Sequence, residues 1–121
     1  MRFDLFNKDN LKNSVDKILI RYPNKVPVYV KKSKNDKNLK DIEKNKFIVP
    51  NDITIGQFLT IIRKRIDLNH EMALFIFIND SILPLQSETM KNLYYEHRNS
   101  EGLLELQYCG ENTFGYKIKL N

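Results

Sequence analysis

The stretch KFIVPNDITIGQFLTIIRKRID, Lys46 to Asp67, changes structural period once, and that change decides the fold. Phe47-Ile48-Val49 reads as a short strand that Pro50 stops. Four residues later Thr54 and Gln57 stand at capping-box spacing, Thr54 as N-cap and Gln57 three residues on. Phe58, Ile61, Ile62 and Ile66 then line one apolar face of a helix through about Asp67.

On the N-terminal side, Val26, Val28 and Val30 alternate with Pro27, Tyr29 and Lys31, which predicts a strand with one buried face. Pro27 lacks an N–H, so that strand is expected at a sheet edge, or with that position unpaired. Leu11, Val15, Ile18 and Leu19 recur at helical spacing, from near Asn10 to before Pro23. Met1–Lys8 adds a short helix using Phe3 and Phe6. On the C-terminal side, Leu74–Ile78 is apolar at every position, as in a central strand covered on both faces. A helix follows from Ser87 to His97, using Met90, Leu93, Tyr94 and His97. Leu104, Leu106 and Tyr108 alternate with Leu103, Glu105 and Gln107 as a last strand. Residues 110–115 and Tyr116–Asn121 show no pattern. Four strands with an intervening helix predict an α+β roll of the ubiquitin kind, a four-stranded mixed sheet with two helices, preceded by N-terminal helices.

The chain has 121 residues, enough for one domain. Its longest apolar run, Leu74–Ile78, is far shorter than the roughly 20 residues of a membrane-spanning helix. The N-terminus has no apolar signal core. Cys109 is the one cysteine, which excludes an internal disulfide and a Cys-cluster metal site and fits a reducing compartment.

Residues 1–46 carry 13 Lys/Arg against 6 Asp/Glu, whereas residues 47–121 carry 7 against 9. The densest basic stretch, Lys31–Lys40, has no interleaved aromatics to stack on bases and no arginine, so it reads as a solvated loop rather than a nucleic-acid site. His70 and His97 have no ligand-spaced partners, and His97 reads as a packed histidine. Cys109 has no identifiable activating base. With four glycines, no phosphate-cradling loop is present. No catalytic residue, metal site or cofactor is predicted. Strand alternation instead turns Leu103, Tyr29 and Pro27 outward beside Lys31 and Lys46, apolar surface next to lysines as a peptide-docking groove needs.

Several blocks carry a family resemblance: Arg21–Val28, Lys46–Pro50, Ile55–Phe58, Ile62–Ile66, Ala73–Phe77, Tyr95–His97 and Gly110–Gly115. In order and spacing they resemble the autophagy-related protein 8 family, which includes microtubule-associated protein light chain 3 and the GABA-receptor-associated protein. The resemblance implies a β-grasp domain with two extra N-terminal helices, divided into a helical extension (1–22), a ubiquitin-like domain (23–109), a conjugation tail (110–115) and a removable propeptide (116–121). It implies a modifier rather than an enzyme. By the same resemblance a cysteine protease is expected to cut between Gly115 and Tyr116, after the Phe114-Gly115 pair. An activating and then a conjugating enzyme are expected to carry the glycine as a thioester until the amine of phosphatidylethanolamine takes it. Two acyl chains anchor stably where one does so marginally. The protein is thus expected in the cytoplasm, then on autophagosomal or vesicle membranes.

The resemblance also implies partners with an aromatic-x-x-aliphatic core. The aromatic side chain is expected among Ile18, Pro27, Tyr29, Lys46, Ile48 and Leu103. The aliphatic one is expected among Phe47, Val49, Pro50, Ile53, Phe58 and Ile61, with Arg65 at the rim. The ligand is expected to add a strand beside Lys46–Val49, and a charge at Ile48 or Phe58 is expected to weaken binding severely without unfolding the domain. Leu103 stands where the family usually has Phe, and Ser14 replaces a commonly acidic residue; extra residues lie in the Lys31–Lys40 loop and near Ile82-Leu83. The alternatives are a peptide-binding adaptor that is never lipidated, or organelle maintenance by the same family.

Overall fold

The computed structural model describes residues 2–3 and 11–120, with side chains described for 12–115. Its elements in chain order are β1 (Arg2–Phe3), α1 (Leu11–Arg21), β2 (Lys25–Lys32), β3 (Lys46–Pro50), α2 (Ile55–Arg65), β4 (Phe75–Ile78), α3 (Met90–His97), β5 (Leu104–Cys109) and α4 (Glu111–Leu120).

Helix α2 begins where the Thr54 and Gln57 spacing predicts. Thr54 Oγ1 accepts the Gln57 N–H at 3.1 Å, and Gln57 Oε1 accepts the Thr54 N–H at 2.9 Å. Two N–H groups without helical partners are thereby satisfied. The helix ends against Asp67, whose φ of +54° is left-handed and cannot continue it. Ile55, Phe58 and Ile62 form the buried face.

The strands lie in the order β1-β3-β2-β5-β4. β2 is antiparallel to β3 and parallel to β5, and β4 is antiparallel to β5. Val26, Val28 and Val30 share one face with Phe47 and Val49, with Leu104, Leu106 and Tyr108, and with Ile76 and Ile78. Residues of α2 and α3 (Phe58, Ile62, Met90, Leu93 and Tyr94 among them) close this face into the main core. α1 covers the opposite face, where Val15 and Ile18 pack on Ile48 and Leu103.

Six expectations need correction. β2 is an interior strand, not an edge. The Val30 N–H points to β3, donating to the Asn45 carbonyl at 2.7 Å. Alternation therefore aims the Pro27 nitrogen toward β5, just before the parallel ladder starts at Val28 and Leu104. By that register a donor at position 27 would face the Gly102 carbonyl, which instead accepts the Tyr94 hydroxyl at 2.6 Å. Proline is tolerated inside the sheet because the tyrosine substitutes for its missing donor.

β4 is the edge strand, although both its faces are covered as predicted. Ile76 and Ile78 face the core, while Phe75 and Phe77 meet Phe114 of α4. That helix is the second correction to the C-terminal reading: its weakly amphipathic sequence is helical because its first turn docks on the sheet.

Arg2–Phe3 is a strand rather than part of a helix, pairing with Ile48 and Phe47 of β3. The open edge of β3 offers unpaired backbone groups that a short segment can satisfy. The rest of the expected Met1–Lys8 helix lies outside the described residues. The Lys31–Lys40 stretch is not solvated throughout, since Ser33 and Asp36 within it are buried while Lys34, Asn35, Lys37, Asn38 and Lys40 are exposed. Leu103, finally, is not outward surface: it is 2% exposed beneath α1.

Candidate functional site

The residues expected to receive an aromatic side chain form one contiguous group on the α1 side of the sheet. Ile18, Ile48 and Leu103 pack together with Tyr29 alongside, and Pro27 lies opposite Ile48 in the ladder. Lys46 faces Tyr29 across the same ladder and holds its ammonium 5.3 Å from the ring centroid, a cation–π contact. Pro27 is buried and Tyr29 and Lys46 are half-buried, so the group presents a polar rim over a filled apolar floor. Val15, absent from the expected set, completes that floor at 1% exposure. Its place in the α1 stripe signals burial, but only the fold shows which face it meets. Ser14, in the turn before it, is half-buried.

The second expected group divides. Phe47, Val49 and Phe58 belong to the main core, with the Phe47 and Phe58 rings edge to face at 5.7 Å. Ile53 and Ile61 are half-buried against that core, Pro50 is half-buried at the end of β3, and Arg65 is exposed at the end of α2. A ligand can therefore touch Pro50, Ile53, Ile61 and Arg65, whereas Phe47, Val49 and Phe58 support from beneath. Ile48 and Phe58 are both fully buried, so a charge at either would unfold the domain rather than test a surface.

The third candidate region is the C-terminal segment. Gly115 lies midway along α4, and the Tyr116 backbone continues the helix. A Cβ at Gly115 would meet nothing within 4 Å. Gly102 contrasts with it: its φ is +83°, and a Cβ there would lie 2.8 Å from Val15 Cγ1. The fold requires glycine at 102 and does not require it at 115.

Sequence reasoning missed what holds this segment. Asp36 is 3% exposed. Its Oδ1 accepts the Asn38 and Leu39 N–H groups, each at 2.9 Å, and its Oδ2 accepts the Gly110 N–H at 2.8 Å and the Thr113 hydroxyl at 3.3 Å. Burial alone would raise the Asp36 pKa, but these donors outweigh it and hold the carboxyl below its usual value. The Asp36-Lys37-Asn38 run carries an Asx-turn signature that predicts the local bonds. Nothing local points to Gly110.

Among the described residues no helix is long and apolar enough to cross a membrane, and no group of three or more His, Cys, Asp or Glu is arranged to hold a metal. His97 is half-buried, its Nε2 3.9 Å from a Glu96 carboxylate oxygen. Cys109 is buried at the end of β5.

A mixed sheet whose first and last long strands run parallel at its centre, with helices packed over one face, defines a ubiquitin-like β-grasp domain. The comparisons narrow the class. A family model described as Autophagy protein Atg8 ubiquitin like matches residues 10–115. Autophagy-related protein 8 of Schizosaccharomyces pombe is 44% identical over 113 residues, covering 93% of this chain and 91% of the relative. Autophagy-related protein 8e of Arabidopsis thaliana is 41% identical over 115 residues, covering 92% and 93%. The crystal structure of Trypanosoma brucei ATG8 matches with a TM-score of 0.79 at 34% identity, over 85% of this chain and 87% of that one. The chain belongs to the Atg8 family of ubiquitin-like autophagy proteins.

Proposed function

We propose that the chain is a non-enzymatic, ubiquitin-like modifier that is cut after Gly115 and joined through that glycine to phosphatidylethanolamine. So attached, it holds partner peptides at autophagosomal or other vesicle membranes. The observation that carries this reading is Gly115, a glycine the fold does not need. A glycine within a helix costs roughly 1 kcal/mol relative to alanine. A glycine placed mid-helix at that cost, where a larger residue would fit, supports a role outside the folded domain. The family match ends at the same residue, which supports Tyr116–Asn121 as the removable part.

The chemistry suits the residue. Hydrolysis of the bond between Gly115 and Tyr116 frees a carboxylate with no side chain beside it, able to thread a narrow enzyme channel. Adenylation activates that carboxylate, and an enzyme cysteine displaces the nucleotide to form a thioester. The lipid amine then displaces the thiol, leaving an amide. The processing protease, the activating enzyme and the conjugating enzyme are the partners of this sequence. The chain contributes the glycine and the surface they recognise.

For peptide capture, the lysine-rimmed group around Tyr29 and the half-buried Pro50, Ile53 and Ile61 support an aromatic-x-x-aliphatic ligand whose flanking acids meet the basic N-terminal half. Strand addition beside Lys46–Val49 uses the edge that β1 occupies at Phe47 and Ile48, so β1 leaves when the peptide binds.

Intact mass of the native and Gly115→Ala forms tests the conjugation reading. The expected result is a native form shortened to Gly115 and carrying one phosphatidylethanolamine, and an Ala variant with neither change. Lipid attachment to the variant, or a native form that keeps its tail and never gains lipid, overturns the reading and leaves an unlipidated peptide adaptor.

A further inference from the structure

The exposed lysines of the Lys31–Lys40 loop stand beside the point from which the C-terminal segment leaves the sheet. β2 and β5 end side by side, with Lys32 opposite Tyr108, and the Lys46 end of β3 and the Phe75 end of β4 lie at the same end of the sheet. Three hydrogen bonds fasten the loop to residues 108–110. The Ser33 N–H donates to the Tyr108 carbonyl at 2.8 Å, the Tyr108 hydroxyl donates to the Lys40 carbonyl, and the Gly110 N–H donates to Asp36 at 2.8 Å.

This fastening fixes which side chains point outward. Ser33, Asp36 and Ile42 are buried and Leu39 is half-buried, whereas Lys34, Lys37 and Lys40 are exposed. Residues 31–46 carry seven lysines against three acidic residues. Of those acids Asp36 is buried and satisfied by four donors, and Asp41 pairs with Lys32 at 3.5 Å. Lys40 lies 3.8 Å from Asp67, but both are so exposed that water screens the pair. Lys34 and Lys37 enter no ion pair among the described residues. The crevice between the loop and the end of α2 adds Lys44 and Arg65 beside Glu43, while Glu71 and Glu111 line the crevice at Asp36. The positive excess at this end of the molecule is therefore carried by the loop.

Lysines without aromatics or arginine suit a surface of point charges better than bases to be stacked or phosphates to be forked. A membrane joined at Gly115 supplies such a surface next to the loop. Gly115 is five residues beyond Gly110, about 8 Å along a helix and at most about 17 Å extended. The potential of an anionic leaflet, about −30 mV, decays over about 8 Å, so the anchor holds these lysines within about one to two decay lengths. We propose that Lys34, Lys37 and Lys40 form a docking surface for anionic lipid headgroups, engaged when the C-terminus is joined to the membrane. This rests on the reading of Gly115 as the attachment point. The tether strengthens a contact that is weak for the free chain. β3 runs from Lys46 at this end to Pro50 at the other, so a domain seated on these lysines holds Pro50 and Ile53 away from the bilayer for partner peptides.

Flotation of the full-length chain with phosphatidylcholine vesicles, with and without phosphatidylserine, tests the surface without any attachment; low ionic strength makes the weak contact readable. Preference for the mixed vesicles is expected. The triple variant Lys34→Gln, Lys37→Gln, Lys40→Gln is expected to lower binding to them by at least about tenfold. The variant Lys12→Gln, Lys17→Gln, Lys91→Gln removes equal charge at exposed positions elsewhere and is expected to stay within about threefold of wild type. Equal binding to both vesicles, equal losses in both variants, or tighter binding of a single-stranded oligonucleotide through the same three lysines overturns the proposal.

A second arm uses the chain joined to phosphatidylethanolamine by the conjugating enzymes of a relative. Acetylation of its lysines, read by peptide mass, is expected to slow severalfold at Lys34 and Lys37 on vesicles containing phosphatidylserine and to be unchanged at Lys91 on α3. Lys34 and Lys37 that react equally on both vesicles overturn the proposal. A first arm that gives the expected result while no lipid conjugate ever forms refutes the proposed function and leaves the lysine surface standing.

Discussion

The Asp36 carboxylate receives the Gly110 N–H at 2.8 Å across 74 residues, tying the lysine-rich loop to the start of the C-terminal helix. The folded carboxyl titrates below its ordinary 3.8. Its contribution to stability is therefore complete above pH 3.8 and is lost as pH falls through the folded pKa. Glu71 and Glu111 line the same crevice and Tyr108 lies within its field, so the measurement has to be a difference. Thermal melts of wild type and Asp36→Asn across the acid range are expected to diverge above pH 3.8 by about 1.5–3 kcal/mol, the value of a hydrogen-bonded charge, and to converge below it.

Tyr108 has the opposite sign. Burial pushes its hydroxyl up to about 12, and it donates to the Lys40 carbonyl. The folded state holds this proton more tightly, so stability is full below pH 10 and falls between pH 10 and about 12. Tyr108→Phe is expected to cost about 1 kcal/mol near neutrality and to flatten the alkaline limb of the stability profile.

Glycines 102 and 115 respond differently to one methyl group. Gly102→Ala brings its Cβ against Val15 at a φ of +83° and is expected to cost about 1–3 kcal/mol in denaturant unfolding. Gly115→Ala meets no atom, and its unfolding curve is expected to be unchanged or stabilised by up to about 1 kcal/mol.

The half-buried positions separate binding from folding. Ile61→Asp is expected to weaken an aromatic-x-x-aliphatic peptide, which binds near micromolar strength or about −8 kcal/mol, by at least about tenfold. Its melting temperature stays within a few degrees of wild type. Phe58→Ala, beneath the same surface, is expected to cost about 3–5 kcal/mol of stability. Calorimetric titration beside thermal melts checks both.

Removing residues 1–3 frees the β3 edge opposite Phe47 and Ile48. Apparent affinity rises by the inverse of the fraction of chains whose edge was open. Titration of the truncated chain with the same peptide is expected to show tighter binding, and an unchanged Kd would mean that β1 does not compete.

The local parts of this fold were legible because their causes are local. The cap of α2 needs only Thr54 and Gln57 at the right spacing, and the inward valines of β2 need only alternation. The family blocks marked the residues expected to line a peptide pocket, and the fold brought Ile18, Tyr29, Ile48 and Leu103 onto one face. It also buried several of them, because α1 packs over a face that alternation alone could only describe as the other side.

Strand neighbours are a different matter. Pro27 argued for an edge, and only the tertiary arrangement supplies the Tyr94 hydroxyl that makes an interior place tolerable. Leu74–Ile78 announced two covered faces without revealing that one cover is a helix nearly forty residues away in sequence. By itself the sequence determined the types and order of the elements from α1 to β5, most of their inward residues and the glycine at which the family match ends. The tertiary structure alone decided which strands lie at the edges, which apolar residues face solvent, and that the segment around Gly115 is held in place. Periodicity and capping are short-range properties of the chain, whereas a hydrogen bond from Asp36 to Gly110 exists only once the sheet has brought them together.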